Sequence, residues 1–297
     1  METILKVNKL SKKIGKREIL TDVSFEINKG EIVGFIGPNG AGKTTTIKCC
    51  CGLAQITSGE VLVEGFSIKK DFEKAIKLIG ISANCNNFYS DLTAYENIKC
   101  LFPNKKFSKQ QIDDTFEMVN LSLRKDSQVK TYSLGMKQRL SLALALINNP
   151  HLVLLDEPFN GVDPSGVADF RQMILEQSKT SGVAFLISSH NLGELAKVST
   201  RNIFIDHGKI VKQEDECEAF NILRLKVDNT ELLTKWLACN GFSFDECEDE
   251  VLIRTLDSQY NDIMYAITAL KLKILQMSTE SLLEKEYLEM LGESKID

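Results

Sequence analysis

Residues 31 to 45, EIVGFIGPNGAGKTT, leave few folds open. An apolar run from Glu31 to Ile36 reads as a buried strand. It passes into a glycine-rich turn, Gly37-Pro38-Asn39-Gly40-Ala41-Gly42, and then into a helix opening at Lys43, Thr44 and Thr45. The turn fits G-x-x-x-x-G-K-[ST], in which backbone N–H groups and a helix N-terminus converge on phosphate oxygens. Lys43 adds a point charge for the β and γ phosphates, and Thr44 a hydroxyl for Mg²⁺. Strand, turn and helix in that order require an α/β sheet with its ligand crevice at the carboxyl ends of the strands. The stretch implies binding of a nucleoside triphosphate.

The rest of the first 213 residues repeats the theme, with short apolar runs alternating with helical patterns, as in a sheet buried on both faces. Two further runs end in chemically useful groups. HLVLLDEP gives Leu152 to Leu155 as a strand followed by Asp156 and Glu157, and VAFLISSH gives Val183 to Ile187 followed by Ser188, Ser189 and His190. Each ending has a bland reading: a strand leaving the core at an Asp, a surface Glu, a structural His. Joined to a phosphate loop they gain roles. Asp156 is expected to hold Mg²⁺ through its water shell, Glu157 to act as general base toward water, and His190 to sense the γ phosphate or the water by hydrogen bonding.

The chain has 297 residues, 43% apolar and 26% charged, which is globular composition with room for one large domain and a smaller one. No apolar stretch approaches the ~18 to 20 residues that cross a bilayer, and METILKVNKLSKK lacks the apolar centre of a signal peptide. A cytoplasmic location is expected. Eight cysteines, three of them adjacent at Cys49, Cys50 and Cys51, show no paired CxxC spacing, which favours buried thiols over zinc or disulfides. Residues 214–297 hold 19 acidic and 8 basic side chains, net −11, against 22 and 28, net +6, for residues 1–213. That shift marks an expected boundary between a domain at 1–213 and an acidic accessory domain at 214–297, whose charge argues against a nucleic-acid partner.

Gly37 to Thr44, then YSLGMKQRLSLALAL, LVLLDEPFNGVDP and SSHNLGELAKVSTRNIFIDHGKIV, taken in that order over residues 3 to 213, resemble the ATP-binding cassette ATPases. The resemblance implies a P-loop fold with an inserted helical subdomain at about 85–150 that meets a separate integral membrane permease. It also implies that Ser133 and Gly135, ahead of an amphipathic helix, form a signature loop for the ATP of a partner cassette, so that two cassettes close head to tail as a homodimer. Asn160 to Asp163 would couple the two sites, with Asp163 near the nucleotide. Two departures stand out. Ile14 occupies the place of the adenine-stacking aromatic, and Asn84, with one methylene fewer, occupies that of a Gln reaching toward nucleotide, Mg²⁺ or water.

GFSIKKDFEKAIKLIGIS and FYSDLTAYENI, together with the tail, look similar to the subgroup serving bacitracin and lantibiotic self-protection exporters. This implies a peripheral place on the cytoplasmic face of the membrane and export of a peptide antibiotic or lipid-like drug. Two alternatives are a soluble cassette ATPase acting on nucleic acid or the ribosome, and a weakly hydrolysing nucleotide-binding regulator. Against the first, the sequence holds neither a sustained heptad repeat nor a second phosphate loop. The tail reads independently as β-α-β-β-α-β, the ferredoxin-like order, followed by a helix over ESLLEKEYLEMLG, with Trp236 as a core residue.

Overall fold

A computed structural model describes residues 2–83, 88–190, 192–214, 221–247, 249–255 and 259–281. The chain divides into two compact units, Met1–Asp215 and Glu216–Asp297. In the first, β1 (Thr3–Ile14), β2 (Arg17–Asn28), β4 (Ser58–Val63) and β5 (Phe66–Ser67) form an antiparallel sheet in the order β2-β1-β4-β5. A six-stranded sheet takes β3 (Ile32–Ile36), β6 (Ile79–Ala83), β7 (Leu152–Asp156), β8 (Ala184–Ser189), β9 (Arg201–Asp206) and β10 (Lys209–Glu214) in the order β10-β9-β3-β8-β7-β6. It is parallel except for β10. All five residues of β3 and the first four of β7 are buried, as an apolar strand covered on both faces should be.

The three strands singled out in the sequence are neighbours, β3-β8-β7, in a register that brings their carboxyl ends level. Ile36 lies opposite Ser189, and Asp156 opposite Ser188. After β3 the chain turns through the glycine-rich loop into α1 (Lys43–Cys50); α2 (Phe72–Ala75) precedes β6. Between β6 and β7 lie α3 (Ala94–Leu101), α4 (Lys109–Met118) and α5 (Leu134–Leu146), and α6 (Pro164–Ser181) and α7 (Leu192–Ala196) flank β8. Helix α3 opens on a reciprocal capping box between Thr93 and Glu96. The expectation of an amphipathic α5 needs correction. From Leu140 to Leu146 every residue is buried except Leu144, which is partly so, because the helix is pressed against β6, where a Cβ on Gly80 would stand 2.2 Å from the Ala145 carbonyl oxygen. The second half of the helix, enclosed on most sides, has no solvent face to keep polar, whereas Leu134 to Lys137 and Arg139 stay at least partly exposed.

The second unit contains β11 (Asn221–Val227), α8 (Thr230–Cys239), β12 (Ser243–Cys247), β13 (Glu250–Thr255), α9 (Tyr260–Ala269) and β14 (Ile274–Ser281). Its antiparallel sheet has the order β12-β13-β11-β14, which is the ferredoxin-like arrangement. Leu223, Leu225, Leu233, Leu237, Ile253 and Ile263 are wholly buried in its core. Trp236 is half-buried and stacks on Phe242 with ring centroids 5.5 Å apart. The helix read over ESLLEKEYLEMLG lies outside the described residues but for its first two.

Candidate functional site

The loop from Gly37 to Gly42 is shaped by contacts that a side chain would destroy. A Cβ on Gly37 would lie 2.2 Å from the Ile205 carbonyl oxygen. Gly42 has φ +113° and would drive a Cβ to 2.6 Å from Leu20. Gly42 is also the N-cap of α1 and supplies no side-chain cap, so the first N–H groups of the helix keep their donor capacity. Ala41 is buried and donates its N–H to the Pro38 carbonyl at 3.1 Å, closing the turn.

Lys43 follows and is only 6% exposed. Its Nζ donates to the carbonyl oxygens of Gly37 at 2.6 Å and Pro38 at 3.2 Å, and lies 3.6 Å from Glu157 Oε1. The Thr44 hydroxyl donates to Asp156 Oδ1 at 3.1 Å. Glu157 takes φ +52°, rare for a side chain larger than glycine, and its other oxygen, Oε2, lies 2.8 Å from His190 Nδ1 and accepts the His190 N–H at 3.3 Å. The ends of β3, β7 and β8 therefore deliver a lysine, two carboxylates, a hydroxyl and an imidazole to one place.

That place is a cavity of about 420 Å³. Pro38, Asn39, Gly40, Gly42 and Lys43 to Thr45 line it together with Glu157 and His190. Two lining residues carry no assignment from sequence spacing alone as nucleotide contacts, Ile19 and Asn160. Ile14, in the expected adenine position, is 61% exposed at the tip of the β1–β2 hairpin and is not a lining residue; the apolar wall comes from Ile19 on β2 instead. No pattern within β2 itself marks Ile19 as the residue that faces the loop. Asn84 lies outside the described residues.

Ser133, Gly135 and Asp163 are likewise not lining residues of this cavity; they cluster with one another. Ser133 caps α5, its hydroxyl accepting the Met136 N–H at 3.3 Å. A Cβ on Gly135 would stand 3.4 Å from Val162 and 4.0 Å from Asp163 Oδ1. Asp163 in turn caps α6, accepting from the Ser165 hydroxyl at 2.5 Å and the Gly166 N–H at 3.1 Å. Those two bonds hold its carboxyl below the usual carboxylate range. Ser133 and Gly135 thus sit at a second helix N-terminus away from the chain's own phosphate loop.

Among the described residues no group of three or more His, Cys, Asp or Glu could hold a metal ion, and no helix is long and apolar enough to cross a membrane. The pair that fits Mg²⁺ is Thr44 Oγ1 with Asp156, two hard oxygen donors beside the phosphate loop. Cys49 and Cys50 at the end of α1 and Cys51, its C-cap, are buried, and burial raises all three thiols, Cys49 to about 11, as suits packing residues rather than nucleophiles.

Comparison with known proteins decides the family. Residues 20–160 match the ABC transporter family. The ABC transporter ATP-binding protein YhcH of Bacillus subtilis is 36% identical over 99% of this chain and 98% of its own length. The chain belongs to the ABC transporter ATP-binding proteins. The lantibiotic transport ATP-binding protein SrtF of Streptococcus pyogenes is 39% identical over 71% of this chain and 91% of its own. The bacitracin transport ATP-binding protein BcrA of Bacillus licheniformis is 37% identical over 72% and 70%.

Of solved structures, cbiO1 from Clostridium perfringens, part of the transporter complex cbiONQ, superposes with a TM-score of 0.67 at 25% identity, covering 72% of this chain and 89% of its own. The cassette MJ0796, which is dimeric with ADP and Pi bound, gives 0.64 at 24% over 73% and 100%, a likeness of fold. This chain is accordingly the ATP-binding and ATP-hydrolysing subunit of an ABC transporter, and a role on nucleic acid or the ribosome is not favoured.

Proposed function

We propose that the chain drives export of a peptide antibiotic or similar lipid-like drug through a separate membrane permease, by ATP-dependent head-to-tail pairing of two copies on the cytoplasmic face of the membrane. One observation supports the mechanism: Lys43, Thr44, Glu157 and His190 line one cavity, with Asp156 bonded to Thr44 beside it, while Ser133 and Gly135 form a phosphate-suited helix start that does not line it. Lys43 exchanges the Gly37 and Pro38 carbonyls for β and γ phosphate oxygens, and the N–H groups opening α1 hold the rest. Thr44 and Asp156 would hold Mg²⁺, which when bound neutralises phosphate charge. Released from Lys43, Glu157 orients a water toward the γ phosphorus and takes its proton as the bond to the β-phosphate oxygen breaks; His190 keeps the Glu157 carboxylate aimed. Ser133 and Gly135 complete the partner's site, and hydrolysis removes the affinity that favours the closed pair.

Residues 1–213 serve in this reading as the ATP-binding domain, with the helices of about 85–150 facing the permease, and residues 214–297 as an accessory domain. The exported class follows the names of SrtF and BcrA, and the permease follows the transporter complex to which cbiO1 belongs. Light scattering of Glu157→Gln with and without Mg-ATP tests the pairing. The expected result is a monomer that becomes a dimer with ATP and reverts to monomer in Glu157→Gln carrying Ser133→Arg. A monomer that binds ATP yet never pairs would sink the proposal.

A further inference from the structure

We infer that Ser188 is a positioning residue for ATP hydrolysis, its hydroxyl holding Asp156 and Glu157 in one fixed relation to Thr44; the inference rests on the reading of those two carboxylates given above. Ser188 is the fifth residue of β8 and is wholly buried, where an apolar side chain would satisfy burial as well as the residues before it do. Register sets it directly beside Asp156 on β7. Its Oγ donates to Asp156 Oδ1 at 2.6 Å and accepts the Glu157 N–H at 3.0 Å, while its carbonyl oxygen lies 3.1 Å from the same nitrogen. One buried hydroxyl thus joins the two carboxylate residues as donor to one and acceptor from the other.

Both bonds act on geometry that turnover depends on. Asp156 Oδ1 receives two hydroxyls, from Thr44 and Ser188, which fixes the plane of the carboxylate and leaves Oδ2 without a bond from the described residues. Glu157 turns away from the sheet at φ +52°, and its N–H is tied at that turn to Ser188, which directs the carboxylate to Lys43 and His190. Without the hydroxyl, the strand keeps the carbonyl contact to the Glu157 nitrogen, but Asp156 loses its buried donor and is held by Thr44 alone, which leaves its carboxylate plane less fixed.

Ser188→Val, Ser188→Thr and Ser188→Ala in the full chain separate the hydroxyl from the shape. Val and Thr have nearly the same outline, and only Thr keeps the hydroxyl. The expected result is turnover at saturating Mg-ATP lowered about tenfold or more in Val and Ala and largely recovered in Thr, the size expected when catalytic groups lose alignment. Equilibrium ATP binding supplies a readout independent of turnover. Affinity in EDTA should stay within about twofold of the parent, while the tightening brought by Mg²⁺ shrinks in Val and Ala, because the Asp156 orientation is what they lose.

Parental turnover in Ser188→Ala would overturn the inference, as would a Thr variant that fails together with Val at unchanged thermal stability. Should Thr and Val both unfold from crowding in the strand, Ala, which adds no volume, decides. Glu157→Gln measured alongside separates the two levels. If it keeps parental turnover, the reading of Glu157 itself is wrong. If it is inactive while Ser188→Ala is parental, only the role of Ser188 falls.

Discussion

Lys43 shows how a buried charge is kept ready. Its ammonium is nearly removed from water and is hydrogen-bonded to two backbone carbonyls, with the Glu157 carboxylate held off at 3.6 Å, so its direct bonds are to neutral acceptors that a phosphate can displace. A phosphate oxygen is a stronger acceptor than a peptide carbonyl, and the exchange frees Glu157 at the moment its carboxylate is needed. Lys43→Met, which keeps the stem and removes the charge, should weaken ATP binding about 10- to 100-fold, the scale of one or two charge-assisted bonds, as read by titration calorimetry. Unchanged affinity would show that the helix start alone holds the phosphates. Lys43, Thr44, Asp156 and Glu157 were legible because each sits at a fixed offset from a motif. Ser188 and Ile19 were not, because their partners are set by strand register and sheet curvature, which neither strand's own sequence records. The Glu157 backbone angle was equally hidden, since no local residue type announces a left-handed turn at a glutamate.

At the scale of elements, the site is made of ends: three strand termini and the first turn of α1, each placed by where an apolar run stops. That is why the sequence exposed the layout so well. Helix starts tell a mixed story. Ser133, expected to meet a partner's phosphate, and Asp163, expected near nucleotide, both serve within the chain as N-caps, of α5 and α6. The Asp163 cap makes a pH-dependent prediction. Its carboxyl is lowered by the Ser165 hydroxyl and the Gly166 N–H, so the stabilisation is full above its ordinary unfolded value and is lost as pH falls through the lowered native one. Asp163→Ala should lower the melting temperature at pH 7, and Asp163→Asn, itself a good cap, should lower it less. The gap between the parent and Asp163→Asn should then close in melts taken below about pH 4, as the carboxylate is protonated. A gap that persists unchanged into acid would rule out the charge as its source. The amphipathic reading of α5 failed for a reason of the same scale: periodicity reports how many faces a helix buries only when one of them meets water.

The whole molecule pairs two units with different charge and separate hydrophobic cores, the first built around the sheets of the phosphate loop and the second around the ferredoxin-like sheet. The tail's topology was legible because its strands are short, its helices have single apolar faces, and each turn is local. The one tryptophan of the chain, Trp236, stacks on Phe242 inside the second unit, so its fluorescence is a probe of that unit. Among the described residues, those lining the nucleotide cavity all lie in the first unit. ATP at about 100 times its Kd stabilises the unit that binds it by roughly 2.7 kcal/mol. If the accessory unit unfolds on its own core, circular dichroism should follow a transition that moves upward with Mg-ATP while the Trp236 transition stays where it was. We expect that separation, because the described residues that line the cavity belong to the first unit and the second has a core of its own. A Trp236 transition that climbs in step with the first would mean that nucleotide binding is transmitted to the accessory unit, and would make that unit a sensor of the ATP cycle.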